Sequence, residues 1–158
     1  MAGNTVSEVG DTDARLTIRP VVRAVRQPGR RECGITCLSM VLESHGQGTA
    51  LDELRAECPA GEDGVSLRSL AVAARRRGFR ARALAVTTPD AWQRLPLPAI
   101  ALFYDMHFVV IEYRDADAVQ VVDPIVGRYL MRPAAWDGDF SGVVLTLEPE
   151  TPGTNQGT

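Results

Sequence analysis

Lysine is absent from this chain: all 17 basic residues are arginine, set against 20 acidic ones, for a net charge of −3. That balance offers no electrostatic footprint for nucleic acid. Histidine is nearly absent too, with two residues, and cysteine occurs three times. Cys33 and Cys37 stand four apart, and Cys58, His45 and His107 complete no zinc spacing around them, so neither a metal nor any other cofactor is expected. The first 20 residues hold no apolar stretch of the kind that makes a secretory signal. With an odd thiol count, this points to free cysteines in a reduced, cytoplasmic setting. The longest apolar run, Leu97 to Tyr104, is broken by Pro98 and falls far short of the roughly 20 residues of a membrane span, so no direct membrane insertion is expected. No GxxxxGK[ST] phosphate loop occurs, which excludes ATP binding by that route.

What is present suffices for one domain: 158 residues, 45% of them hydrophobic. Residues 1–18 are rich in Gly, Ser, Thr and Asp and read as a disordered arm; 150–158 read as a flexible tail, leaving a domain at 19–149. The first half of that domain is helical in pattern. A stripe of Ile35, Leu38, Val41 and Leu42 follows Cys33 and ends at His45-Gly46, with Gly46 at C′. Thr49 is expected to cap a helix over Ala50–Glu57, and Ser66 one that ends by Gly78. Thr88-Pro89 starts a short helix. Alternating segments at 79–86, 98–103, 107–113, 119–123, 128–131 and 142–147 read as strands. Helices first and antiparallel strands afterwards define an α+β fold.

The chemistry concentrates in Gln27-Pro-Gly-Arg-Arg-Glu-Cys33-Gly34. A lone cysteine on a helix is ordinarily a packing residue. Cys33, however, starts a helix, where the positive end of the dipole favours thiolate. Gly34 beside it is expected to leave room for an incoming peptide carbonyl. The Cys33 backbone N–H and the Gln27 side-chain amide could share an oxyanion. Cys37, one turn below, reads as a buried packing residue.

A thiolate nucleophile needs an imidazole. His45 lies about 18 Å along the same helix at a rise of about 1.5 Å per residue, which leaves His107. If the hairpin after His107 turns symmetrically about Asp115, His107 falls directly opposite Asp123, and the carboxylate can fix the imidazole's tautomer. Asp105 is a competing acid, but its place two residues before His107 suits the preceding turn better.

These residues, with Asp63-Gly64-Val65-Ser66-Leu67, Arg77-Gly78-Phe79, His107-Phe-Val-Val and Val122-Asp123-Pro124, resemble the bacteriocin-processing cysteine peptidases that form the N-terminal domains of peptidase-containing ABC exporters. The resemblance spans about Arg23 to Pro149. It implies a papain-like fold, with Cys33 as nucleophile, His107 as base and acid, Asp123 as orienting carboxylate and Gln27 as oxyanion donor. It further implies substrate contacts at Gly34, Gly64, Val65, Ser66 and Met106. The implied reaction is cleavage of a bacteriocin- or lanthipeptide-type precursor after Gly-Gly. The implied partners are that precursor, with its amphipathic helical leader, and the transmembrane and ATP-binding domains of an exporter. A shallow apolar patch on the helical half is expected to receive the leader. Two alternatives stay open at this stage: a silent leader-binding module, and another papain-like acyl-transfer hydrolase.

Overall fold

The computed structural model describes residues 18–150, so the arm and tail read from the sequence fall almost wholly outside the described residues. Three helices come first: α1 (Cys33–Ser44), α2 (Leu51–Glu57) and α3 (Leu67–Arg75). Then follow β1 (Phe79–Ala85), α4 (Pro89–Gln93), β2 (Ala99–Phe103), β3 (Phe108–Arg114), β4 (Val119–Asp123), β5 (Gly127–Met131), α5 (Pro133–Asp139) and β6 (Phe140–Pro149). None of the described helices is long and apolar enough to cross a membrane.

The six strands form one antiparallel sheet in the order β1-β6-β2-β3-β4-β5. The last strand therefore inserts between the first two, and its length (ten residues, reaching Pro149) reflects pairing on both sides. Each face of the sheet buries its own apolar cluster. On one face α1 and α3 pack Ile35, Leu38 and Leu70 against Ile100, Val110, Val122 and Leu145. On the other, Trp136 of α5 stacks on Phe140 at 4.8 Å and meets Phe103 edge-on, over Val109, Ile111, Val121 and Val144.

α1 is buried nearly all round, from Gly34 to Leu38 and Met40 to Leu42, because it lies among α2, α3, the sheet and the segment before it. A helix enclosed on every side keeps no polar stripe, and Thr36 satisfies its hydroxyl on Glu32 O at 2.7 Å. Its end matches the sequence pattern. Gly46 sits at φ +82°, with Gly46 N–H on Glu43 O and Gln47 N–H on Leu42 O closing the last turn.

Three local expectations need correction. Thr49 does not cap α2: the cap position is Ala50, and the Thr49 hydroxyl turns back to Gln47 O at 3.0 Å. Asp52 instead supports the first turn through Arg55, at 2.5 Å. α5 was not foreseen; Pro133 in its first turn was the available signal, but seven residues carry too little periodicity. The third correction concerns register. β3 and β4 pair Val110 with Val122 and Ile111 with Val121, then shift through a bulge at Glu112 to Tyr113 with Gln120. His107 is therefore not directly opposite Asp123. The ladder extends Asp123 toward Val109, which makes His107 a diagonal neighbour, still within reach of two polar side chains.

Candidate active site

Cys33 is the first residue of α1, where backbone N–H groups have no intrahelical partner. Burial alone would push its thiol up, but the His107 imidazole and the backbone N–H groups of Phe108 and Gly34 outweigh that and bring it below the ordinary thiol value of 9.0. His107 immediately precedes β3, bonds Asp123 Oδ1 at 2.9 Å through Nε2, and interacts electrostatically with the Cys33 thiol across the same cleft. Burial opposes its charge, yet Asp123 and Cys33 together push it up to about 10. Opposite shifts in two contacting groups describe a thiolate–imidazolium pair that titrates as a unit.

Asp123 ends β4, and the following turn is folded around its carboxylate. Ile125 N–H donates to Oδ1 at 2.7 Å, and Val126 N–H contributes as well. Burial works against ionisation, but His107 and these amides keep the group below its usual range. Pro124 stops the strand, as its ring requires, and Gly127 at φ +101° turns the chain back into β5.

Gln27 reaches the same cleft from the segment before α1. Its backbone N–H bonds Pro124 O at 2.7 Å, and Nε2 donates one proton to Gly29 O at 2.8 Å. The second amide proton has no acceptor among the described residues. Oε1 is buried without a partner, an arrangement costing about 1–3 kcal/mol.

These four residues line one open cleft of about 610 Å³ with Arg30, Arg31, Glu62, Asp63, Asp105, Met106, Ile125 and Val126. Among the described residues, Arg31 (φ +64°) and Met106 (φ +66°) are the non-glycine residues with left-handed backbone. Both stand on the cleft, one close in the chain to Cys33 and the other to His107, and strained backbone of this kind gathers at functional sites.

The other residues expected to touch substrate fare differently. Met106 lines the cleft. Gly34 does not face it: a Cβ there would come within 3.3 Å of Leu70 Cδ1 and Phe108 Cδ2, so this glycine permits close packing of α1 against α3 and β3. Val65 is buried in the core, and Ser66 caps α3 by accepting from Ser69 N–H. Gly64, at φ +95°, backs the Arg31 main chain. Its neighbours Glu62 and Asp63 form the wall instead. No exposed large hydrophobic residue lies on α1, α2 or α3 among the described residues; Met106, Ile125 and Val126 expose theirs at the cleft rim. The expected apolar patch on the helical half is thus replaced by one at loops of the sheet. The Phe108 amide and the Asp123 turn went unread because main-chain donors leave no mark on residue type.

His45 and Cys37 occupy structural places. His45 tilts over Phe79 at 5.3 Å, and burial pushes it down, against the charge that a helix C-terminus would favour. Cys37 is fully buried beneath Cys33, which pushes its thiol well up and leaves it inert. Cys58 donates to Ser69 O.

The chain is similar to proteins with this combination of fold and residues. It is 25% identical over 134 residues to the lactococcin-G-processing and transport ATP-binding protein LagD of Lactococcus lactis subsp. lactis, covering 81% of this chain and 19% of that protein. It is 28% identical over 124 residues to an uncharacterized protein of Methanothermobacter thermautotrophicus, of which it covers 87%. The chain thus spans about a fifth of the length of the bacterial transporter relative and nearly all of the archaeal one. Among solved structures it resembles a double glycine motif protease from an AMS/PCAT transporter in complex with the leader peptide. That likeness has a TM-score of 0.78 and 26% identity over 82% of this chain and 92% of the other. The peptidase domain of Streptococcus ComA shares the fold at a TM-score of 0.74, with 21% identity over 81% of this chain and 98% of that domain. The model of the peptidase C39 family matches residues 22–152, and the chain belongs to that family as a cysteine peptidase of papain-like fold.

Proposed function

We propose that this domain removes the leader of a ribosomal precursor peptide by cutting after Gly-Gly, in association with an ABC exporter at the cytoplasmic face of a membrane. The observation that carries the reaction is that Cys33, Gln27 and the bonded pair His107–Asp123 line one open cleft. The specificity is suggested by the similarity to a double glycine motif protease and to a bacteriocin-processing transporter.

In this reading the Cys33 thiolate attacks the carbonyl carbon of the second glycine, and the carbonyl electron pair moves onto oxygen. The oxyanion lies between the Cys33 N–H and Gln27 Nε2. His107 gives its proton to the departing amine as the C–N bond breaks, leaving the leader as a thioester on Cys33. His107 then takes a proton from water, whose oxygen displaces the sulfur and restores the ion pair. Asp123 remains ionised throughout and holds the ring. The exposed Met106, Ile125 and Val126 give the flanking peptide an apolar rim to rest on.

The test is cleavage of a precursor carrying Gly-Gly, compared with Gly-Ala and unrelated junctions. Cleavage is expected at Gly-Gly alone. Cys33→Ala is expected to abolish turnover and retain leader binding by calorimetry; turnover persisting in that variant would end the cysteine-peptidase mechanism. Equal cutting at unrelated junctions would end the leader specificity.

A further inference from the structure

The oxyanion amide hangs on a segment with no ladder of its own: residues 18–32 form neither helix nor strand. A group that must meet a developing charge within a fraction of an ångström needs its backbone fixed by other means. Here the fixing comes from side chains of three strands. Glu112 of β3, fully buried, accepts from Val21 N–H at 2.7 Å and Val22 N–H at 2.8 Å through the same oxygen. Arg128 of β5 bonds both Glu112 oxygens, at 2.8 and 3.0 Å, and donates to Val22 O. Gln120 of β4 bonds Glu112 at 2.8 Å and clasps the Arg19 main chain, giving to its O and taking from its N–H, each at 2.8 Å. The Arg19 guanidinium lies over the Tyr113 ring, 4.4 Å from its centroid.

The bulge at Glu112 makes this cluster by setting Glu112 and Tyr113 on the side where Gln120 and the segment lie. A buried carboxylate is costly to desolvate and adds little stability over an apolar replacement; fixing one arrangement is a role such groups can fill. His107 and Asp123 stand at the other ends of β3 and β4, so one strand pair carries the base and acid at one end and the anchor at the other. From Val22 the chain runs past Val25, whose N–H meets Met40 Sδ at 3.3 Å, to Gln27 on Pro124 O.

We propose that Glu112, with Gln120 and Arg128, is a positioning residue for the reaction: it sets where Gln27 presents its amide to the oxyanion. This rests on Gln27 being the oxyanion donor, which Gln27→Ala tests by itself. That variant should lower kcat by roughly 10²–10³ and leave Cys33 alkylation by iodoacetamide at neutral pH unchanged. An unchanged kcat would overturn the Gln27 reading, and this proposal with it.

Glu112→Gln is then measured in the wild-type and Gln27→Ala backgrounds. In the wild type, kcat should fall roughly ten- to a hundred-fold with KM and alkylation rate held. In the Gln27→Ala background the same substitution should cost almost nothing more, because a misplaced amide that is already gone cannot be lost twice. Equal losses in both backgrounds, an alkylation rate falling in step with kcat, or an unchanged kcat would overturn it. If Glu112→Gln does not fold, Gln120→Leu serves in its place. It frees the Arg19 main chain while leaving the Glu112–Arg128 pair, and the same dependence on Gln27 decides the outcome.

Discussion

Cys33 and His107 shift in opposite directions, and that fixes how the site responds to pH. Sulfur becomes nucleophilic as pH rises through the lowered Cys33 value, below 9.0. His107 keeps its proton until about 10, and in the proposed mechanism that proton goes to the leaving amine. Peptide cleavage should therefore trace a bell whose alkaline limb falls near pH 10, whereas alkylation, which needs only thiolate, should rise to a plateau with no alkaline fall. Both are measured as rate against pH. Asp123→Asn removes the carboxylate that raises His107, so the alkaline limb should move to lower pH in that variant. The identities of these residues were legible in the chain, because only two histidines exist and one shares a helix with the cysteine. Asp123 does meet His107, but through a register other than that of a hairpin symmetric about Asp115. Two side chains reach each other diagonally, and the pairing differs because the turn centres between Ala116 and Asp117, with Arg114 opposite Val119, rather than on Asp115.

At the scale of elements, the junction of α1 with β3 places Cys33. Gly34 lets the helix start lie against Phe108, whose own N–H faces the Cys33 sulfur. Gly34→Ala would press a methyl within 3.3 Å of both Leu70 and Phe108. A loss of about 1–3 kcal/mol in denaturant unfolding is expected. The alkylation rate should drop as well, because moving Phe108 moves a donor to the thiolate. An unchanged alkylation rate would show that the Phe108 amide does not tune the sulfur. Gly46 and Gly78 fulfilled their sequence roles since a left-handed turn after a helix is a local requirement. Gly34 did not, because the partners that demand its missing Cβ lie on α3 and β3, far along the chain.

For the whole molecule, the sheet separates two jobs. The face under α1 and α3 carries the helical half that begins with Cys33; the face under α4 and α5 carries a cluster centred on Trp136. Trp136 is not among the residues that line the cleft; its aromatic neighbours are Trp92, Phe103 and Phe140, and Phe103 in turn meets His107 edge-on at 6.5 Å. Trp136→Ala should cost about 3–5 kcal/mol of stability. At temperatures where the variant stays folded, kcat per folded molecule should match the parent. A large drop in kcat under those conditions would mean that the two faces are coupled.

The sequence by itself determined the α+β order, the end of α1 and most strand positions, and it singled out four residues that meet in one cleft, because each depends on local periodicity, on turn chemistry or on the scarcity of a residue type. Tertiary structure decided the rest: the insertion of β6 between β1 and β2, the bulge at Glu112, the turn that holds Asp123 and the packing role of Gly34. Those features come from contacts between segments distant in the chain and from main-chain donors that every residue carries. No pattern of residue types records them.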